Sequence, residues 1–301
     1  MISKKEFKYK DRLIKGISKD GHFKISVVKT SDVVRAAKKK HQLTLLNTVL
    51  LGRALTGALL MASELKGEER IQLKAEGNGP VGQIVAEANR VGEVRGYVQN
   101  PAASVDTSKK NASIRDGLGI GLLTVTKTLY NEATPQRSTI KLIKSNITDD
   151  LAFYMAQSEQ LPSAVMLDVG IDKKGRISEA GGILIQRMPD AEEGQIEHLQ
   201  QKLASFGPLH KLFAEGNYID DIMHVAMQPI SVKELDRQPV DFFCRCSRNR
   251  FLDSLAILNY DDLKAMSDEG QELVCHFCNK KYQISRDEIK KITLQAKARM
   301  N

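Results

Sequence analysis

Apolar and polar residues alternate in short bursts over the first two thirds of the chain, the period-2 pattern of strands with one face buried. Two such runs, 12–18 and 22–29, flank Lys19-Asp20-Gly21, which predicts a hairpin with glycine at its turn. Ser31 is placed as the N-cap and Asp32 in the first turn of a helix running toward Lys40. Residues 43–66 then change period: Leu45, Leu46, Val49 and Leu50 recur near helical spacing and predict a buried core helix. Strand-like runs follow at 70–75, 81–88 and 93–99, and again at 119–127, 139–144, 164–172 and 183–187. Between the last three, Thr148-Asp149-Asp150 opens a helix that extends through Ser158. Strands outnumber helices and most are separated only by turns. Residues 1–187 are therefore expected to form an α+β body whose mixed sheet is largely antiparallel.

Two segments invite other readings. Residues 43–63 match the roughly 20 residues of a membrane-spanning helix, but Arg53 lies at the centre with Thr44, Asn47, Thr48 and Thr56 around it. A central arginine is costly in lipid, so a core helix is preferred and no membrane association is expected. Gly77-Asn78-Gly79-Pro80-Val81-Gly82 fits the G-x-G-x-x-G spacing of dinucleotide sites. Pro80 and the β-rich Gln83-Ile84-Val85 stand where a helix N-terminus should cradle the pyrophosphate, so a tight turn between strands is expected instead.

From 189 to 238 the pattern becomes helical, broken by Gly194, Gly207-Pro208, Gly216 and Pro229. Ile196, Leu199 and Leu203 share one helical face; Ile219, Ile222, Met223 and Met227 share another. Helices this short do not hold together alone in water and must lean on a neighbour. That makes 188–240 a candidate metastable linker, the part most easily released; a plain helical connector with a permanent core role is the alternative. Charge adds to the picture. The chain carries a net +8, yet residues 188–240 hold nine acids against four bases, net −5, leaving +13 on the remainder. An acidic segment can dock in cis on a basic body, so the basicity does not by itself imply nucleic acid.

The candidate chemistry is confined to the C-terminus. All four cysteines lie in two short pairs, Cys244-Arg245-Cys246 and Cys275-His276-Phe277-Cys278, separated by the 28 residues 247–274. A tetrahedral Zn²⁺ takes four soft ligands, and two tight turns can supply two each. One Zn²⁺ per chain is therefore expected on Cys244, Cys246, Cys275 and Cys278, in a small domain at 241–301. Two permanent disulfides are the rival, and they belong mostly to oxidising compartments. Met1-Ile2-Ser3-Lys4-Lys5-Glu6 is not followed by an apolar leader core, so a cytoplasmic, reducing location is favoured. The C-x-C spacing is tighter than the usual C-x₂₋₄-C. Zinc-bound cysteines are thiolates, the form that reacts with oxidants, and each pair is close enough to close as a disulfide. Arg245, Arg248 and Arg250 either favour thiolate or form a solvated basic face.

With the α+β body, the acidic helical linker and the cysteines in view, the chain resembles the redox-regulated 33-kilodalton heat-shock chaperonin family. The resemblance covers nearly the whole chain. It is carried by Cys244-Arg245-Cys246-Ser247-Arg248 and Val274-Cys275-His276-Phe277-Cys278 with Tyr282, and in the body by Gly77 to Gly82, Val94-Arg95-Gly96-Tyr97-Val98, Leu123-Thr124-Val125-Thr126-Lys127, Ser158-Glu159-Gln160 and Ala180-Gly181-Gly182. One departure is the stretch after Tyr130, Asn131-Glu132-Ala133-Thr134-Pro135-Gln136, where relatives often place a glycine-containing turn. The resemblance implies a stress-response, ATP-independent holdase that is inactive when reduced and zinc-bound. It further implies that Cys275 and Cys278 oxidise first, zinc leaves, the linker is destabilised, and Cys244 and Cys246 follow. Unfolded client proteins, homodimers on activation and ATP-dependent foldases downstream belong to the same implication. Loss of a structural zinc, about 10 to 16 kcal/mol in small modules, is expected to unfold the tail and leave the linker without a docking partner.

Two other functions remain open on sequence. A zinc-ribbon nucleic-acid binder would use the net positive charge, but His276-Phe277 and Tyr282 supply few interleaved aromatics. A thioredoxin-like enzyme would use Cys275-x-x-Cys278, but that motif belongs at a strand-to-helix junction. The six histidines show no metalloprotease spacing and no G-x-x-x-x-G-K-[ST] occurs, so neither metal hydrolysis nor nucleotide-driven work is expected and the chain is read as a non-enzyme.

Overall fold

The computed structural model describes residues 10–105, 113–192, 194–266 and 270–298; Met1 to Glu6, on which the absence of a leader is read, lie outside them. The chain forms two compact units, Met1–Phe243 and Cys244–Asn301.

The first unit is built on two sheets. In one, sheet A, the strand order is β10-β1-β2-β9-β8, from β1 (Arg12–Ser18), β2 (Phe23–Lys29), β8 (Ser163–Ile171), β9 (Ile177–Arg187) and β10 (Val232–Pro239), all antiparallel. Sheet B has the order β11-β5-β4-β3-β6-β7, from β3 (Arg70–Gly77), β4 (Gln83–Asn89), β5 (Glu93–Val98), β6 (Gly121–Thr128), β7 (Gln136–Lys141) and β11 (Asp241–Phe242). Only β11 runs parallel to its neighbour, β5. Helix α1 spans Ser31–His41 and α2 Leu45–Ala62; α2 packs against strands of both sheets, with 14 of its 18 residues buried. It is long and apolar enough for a membrane span, but that burial makes it the core helix the central Arg53 predicts. Arg53 donates to the Asn146 carbonyl at 3.1 Å; burial lowers its pKa, and Asp168 and Asp149 offset part of the effect. The short α3 (Arg115–Leu118) and α4 (Thr148–Gln157) complete the body.

Several local details differ from the sequence reading, each for a packing reason. Ser31 is the first helical residue, not the cap: its hydroxyl bonds Glu179 and accepts from the Ala180 N–H, while Asp11 accepts from the Val33 N–H at 2.8 Å and caps α1 from outside. Asp150 is fully buried and accepts from the five successive N–H groups of Ile143 to Ile147, which bends the chain into α4. The glycine run 77–82 joins β3 to β4 and lies flat on 117–120, bonded by Asn78 N–H to Ile120 and Gly79 N–H to Leu118 carbonyls. A Cβ on Gly77 would sit 2.0 Å from the Leu118 oxygen, so close backbone approach explains this motif without a nucleotide. The stretch 131–135 lies in the exposed connection between β6 and β7.

Residues 188–240 belong to the first unit. Helices α5 (Gln195–Ser205), α6 (Leu209–Ala214) and α7 (Ile219–Met227) lay Ile196, Leu199, Leu203, Phe213, Ile222 and Met223 onto the outer face of sheet A, against Ile14, Phe23, Ile25, Val27, Ile183 and Ile185. The opposite face of sheet A meets α2. Strand β2 is consequently buried on both faces, with only Lys24 of Phe23 to Lys29 partly exposed although its sequence alternates apolar and polar residues. The end of the segment is not helical: β10 adds an edge to sheet A beside β1, and β11 an edge to sheet B beside β5. Docking on the body is chiefly apolar. Charge contributes locally, with Asp236 bound to Arg90, and with Asp220 bound to Arg237 inside the segment itself.

The second unit holds α8 (Arg248–Leu255), α9 (Tyr260–Met266), the hairpin β12 (Gln271–Val274) and β13 (Lys281–Ile284), and α10 (Arg286–Ala298). Its core is small: Leu255, Leu263, Ile284, Ile289, Ile292 and Ala296.

Candidate metal centre

The second unit converges on its cysteines. Cys275 ends β12 and opens a tight turn: its N–H donates to the Lys280 carbonyl at 2.9 Å, and its carbonyl accepts from Cys278 at 3.3 Å and Asn279 at 2.7 Å. Asn279 takes a left-handed conformation, φ 56°, which Asn tolerates better than most residues and which turns the chain back into β13. This knuckle points Cys275 and Cys278 inward, both buried. Cys244 and Cys246 face them from the stretch before α8, whose N-cap is Ser247, the side chain accepting from Arg250 N–H.

All four cysteines are free thiols, and their sulfurs lie within 4.8 Å of one another. Cys244 Sγ is 3.7 Å from Cys275 Sγ, and Cys246 Sγ is 3.4 Å from Cys278 Sγ. A disulfide needs about 2.05 Å, whereas the edge of a tetrahedron with metal–sulfur bonds of about 2.3 Å is roughly 3.8 Å. The constellation has the dimensions of a four-coordinate site for a soft metal ion. The structure brings together all four residues that the sequence nominates.

The electrostatics show why a cation suits the site. Burial pushes the Cys275 thiol up, with the neighbouring Cys244 adding to it, and burial likewise drives Cys278 far up. Cys246 is the exception. Burial raises it too, but hydrogen bonds from the Tyr282 hydroxyl and from the other thiols outweigh that and bring it down to about 7. A divalent cation is the group that lets four crowded thiols ionise together.

Some supporting contacts were not legible in advance. Tyr282 lies 3.3 Å from Cys246 Sγ, donates to the Cys246 carbonyl at 3.0 Å, and packs against Phe251 with ring centroids 5.1 Å apart. Arg248 makes a two-pronged contact with Glu288 and also reaches the Gln283 carbonyl, while Arg250 donates to the Arg245 carbonyl at 2.9 Å. These two arginines brace the unit rather than form a free basic face. Glu288 in turn accepts from Ser285 N–H and hydroxyl at the start of α10, the glutamate half of a capping box. The Ser285-x-x-Glu288 spacing is the sequence signal that could have found this brace.

Comparison with known proteins agrees with the arrangement. The sequence profile described as Hsp33 protein matches residues 11–285. The 33 kDa chaperonin of Enterococcus faecalis is 36% identical over 286 residues, covering 93% of this chain and 95% of that one. That of Lactiplantibacillus plantarum is 37% identical over 292 residues, covering 95% and 98%. The crystal structure of the 33 kDa chaperonin, a heat shock protein 33 homologue, from Thermotoga maritima superposes with a TM-score of 0.87 at 30% identity, covering 96% of this chain and 99% of that one. Matched along nearly its full length in both sequence and fold, with its four cysteines gathered into one site, the chain belongs to the Hsp33 family of chaperones.

Proposed function

We propose that the protein is a redox-regulated, ATP-independent holdase that keeps unfolding proteins from aggregating under oxidative and heat stress. The observation that carries this reading is the cluster of four free thiols with tetrahedral dimensions, whose first member, Cys244, follows β11 closely in the chain. Zn²⁺ is the metal that such an all-thiolate set favours. When bound it supplies the charge that holds Cys244, Cys246, Cys275 and Cys278 as thiolates and ties the small second unit together.

Activation starts at Cys275 and Cys278. The thiolate of one attacks an oxygen of hydrogen peroxide, giving a sulfenic acid and, after proton uptake, water. The other thiolate displaces hydroxide from that sulfur, forming the disulfide, and a second water results. Two electrons pass from the thiols to the peroxide. The disulfide withdraws two of four donors, zinc is released, and Cys244 with Cys246 can oxidise in the same way.

Functionally the chain divides into an α+β body at 1–187, a metastable linker at 188–240 and a redox switch at 241–301. Loss of the switch's fold, combined with heat, detaches the linker and exposes the apolar faces now paired between α5–α7 and sheet A, the kind of surface that captures unfolded chains. Activated molecules act as homodimers in the cytoplasm and hand clients to ATP-dependent foldases; no enzymatic turnover is involved. Light scattering of a heat-unfolded client tests the reading, with wild type and Cys278→Ser each reduced and peroxide-treated. Wild type should hold the client only after oxidation, and Cys278→Ser should lose that dependence. Equal holding by both proteins in all conditions would sink it.

A further inference from the structure

The outer face of sheet A carries a glycine on three of its strands, and each one receives a side chain from the segment that covers it. A Cβ built on Gly16 of β1 would lie 2.9 Å from Met223 Sδ and 2.6 Å from Val232 Cγ1. On Gly181 of β9 it would lie 2.5 Å from the Val28 carbonyl oxygen of β2 and 2.6 Å from Phe213 Cε2. On Gly170 of β8 it would meet the Cγ of His210 at 2.3 Å and its Cβ and Cδ2 at 2.5 Å. Carbon atoms pack at about 3.5 to 4.0 Å, so Gly170 accepts no methyl group while α6 is seated, whereas Gly16 and Gly181 are closed by the neighbouring strands β10 and β2 as well as by the helices. Glycine inside a strand weakens it, and its repeated use on one face marks close approach by something that must fit.

The Gly170 notch is also clamped. Two residues earlier on the same face, Asp168 Oδ2 accepts from the His210 backbone N–H at 2.9 Å and contacts His210 Nδ1 at 2.8 Å. One carboxylate therefore caps the first turn of α6 and fixes the ring that fills the notch. The His210 ring cannot swing aside without losing its contact with Asp168. At the other end of α6, Phe213 lies over Gly181 with the Lys29 ammonium 5.3 Å from its ring centroid.

We infer that the hold of the body on residues 195–227 is concentrated in these three notches, and that Gly170 with Asp168 sets the threshold at which the segment lets go. Asp168 and Gly170 are positioning residues: they touch neither cysteines nor client. The inference rests on reading 188–240 as the releasable element, and it locates the control of release within the body, away from the metal site.

Hydrogen exchange of the full-length, reduced, zinc-loaded protein tests it. Gly170 is not in the left-handed region that favours glycine, and the three atoms nearest its added methyl all belong to His210, so Gly170→Ala targets the notch. In this variant the amides of 195–227 should exchange at least tenfold faster, with zinc content, thiol count and protection of β3 to β6 unchanged. Gly170→Ala/His210→Gly, which also removes the His210 Cβ that stands 2.5 Å from the new methyl, should recover much of the protection lost in Gly170→Ala. A core truncation in sheet B, Leu73→Ala, controls for general destabilisation and should not open 195–227 selectively. Protection of 195–227 in Gly170→Ala within twofold of wild type overturns the inference, as does opening that the double variant fails to reverse. If Gly170→Ala does not fold, His210→Ala and Asp168→Asn decide: faster exchange confined to 195–227 supports the notch, and unchanged exchange overturns it. Wild type after oxidation is measured alongside. If its segment stays fully protected, the release reading fails, while the comparison of reduced variants still judges the notch.

Discussion

Withdrawing the metal from the reduced protein should unfold the second unit and stop at Phe243. The second unit has six buried residues in its core, few for a stretch of more than fifty residues. A structural zinc in such modules contributes about 10 to 16 kcal/mol, against a typical total stability of about 5 to 15 kcal/mol for a whole domain. Removing it leaves nothing to hold α8, α9 and α10, whose 8, 7 and 13 residues amount to 28 in helix. The chain just ahead of Cys244 is anchored separately. Phe242 is buried, worth about 1.5 to 3 kcal/mol, and Asp241 and Phe243 donate to the Gly92 and Val94 carbonyls, worth about 1 kcal/mol each. An anchor of about 3 to 5 kcal/mol keeps β11 paired at 25 °C, and α5–α7 keep their own apolar contacts with sheet A. Under reducing conditions, an excess of a high-affinity chelator should remove helical circular dichroism equivalent to about 28 residues. Exchange protection should vanish over 244–298 while 195–227 stays protected until the sample is warmed. The reasoning is refuted if helicity survives chelation, or if 195–227 opens at the same chelator concentration at 25 °C. This also replaces the expectation that the linker loses its docking partner along with the metal, since the helices α5–α7 dock on sheet A.

Three further outcomes are expected. Cys275→Ser should abolish tight, stoichiometric zinc binding, and full occupancy by metal analysis would contradict the assignment of that ligand. Asp150→Ala strips the acceptor from five buried or half-buried N–H groups at roughly 1 to 3 kcal/mol for each one left unsatisfied. Even with partial relaxation the thermal midpoint should fall by about 10 °C or more, and a drop under about 2 °C would show that water replaces the carboxylate. Asp11, pushed up to about 7 mainly by burial, binds its proton more tightly folded than unfolded. Its ionisation therefore costs stability as pH rises from about 4 to 7. Asp11→Asn, which keeps an acceptor for Val33, should raise the midpoint at pH 8 and leave it nearly unchanged at pH 4; a larger gain at pH 4 than at pH 8 would reverse the sign of the argument.

The parts of the fold legible in the sequence are those whose burial alternates. Strands β1 to β6 and β8 lie within two or three residues of their expected positions because each has one face toward α2 or between sheets, and α2 stands out by its change of period. Strand β7 was expected at 139–144 and begins at Gln136, because an edge strand with one buried residue, Ile140, offers no register. For the same reason β10 was read as part of a helical stretch: Val232 is its only buried residue, and its contribution is backbone pairing. Strand β9 starts at Ile177, earlier than its apolar run, because Gly181 and Gly182 carry no side chain to mark a face. The four cysteines were fully legible from spacing. The contacts of Tyr282 and Arg248, both named in the sequence, and the clamp of Asp168 on His210 were not, since they join residues far apart in sequence, although glycines interrupting strand patterns at 16, 170 and 181 are a usable signal of close approach.

The double burial of sheet A carries a consequence for the free protein in solution. Were 188–240 to detach as proposed, Phe23, Ile25, Val27, Ile183 and Ile185 would form an adhesive strip open to other copies of the chain as well as to unfolded proteins. Mutual repulsion would then be the long-range barrier between two uncovered molecules, and the net +8 of the chain, its tethered acidic segment included, would supply it. With a screening length near 10 Å at 0.1 M salt and 3 Å at 1 M, that barrier is strong in dilute buffer and short-ranged in brine. The uncovered state is accordingly a colloid kept dispersed by charge, and its lifetime against self-precipitation is set by the ionic strength around it.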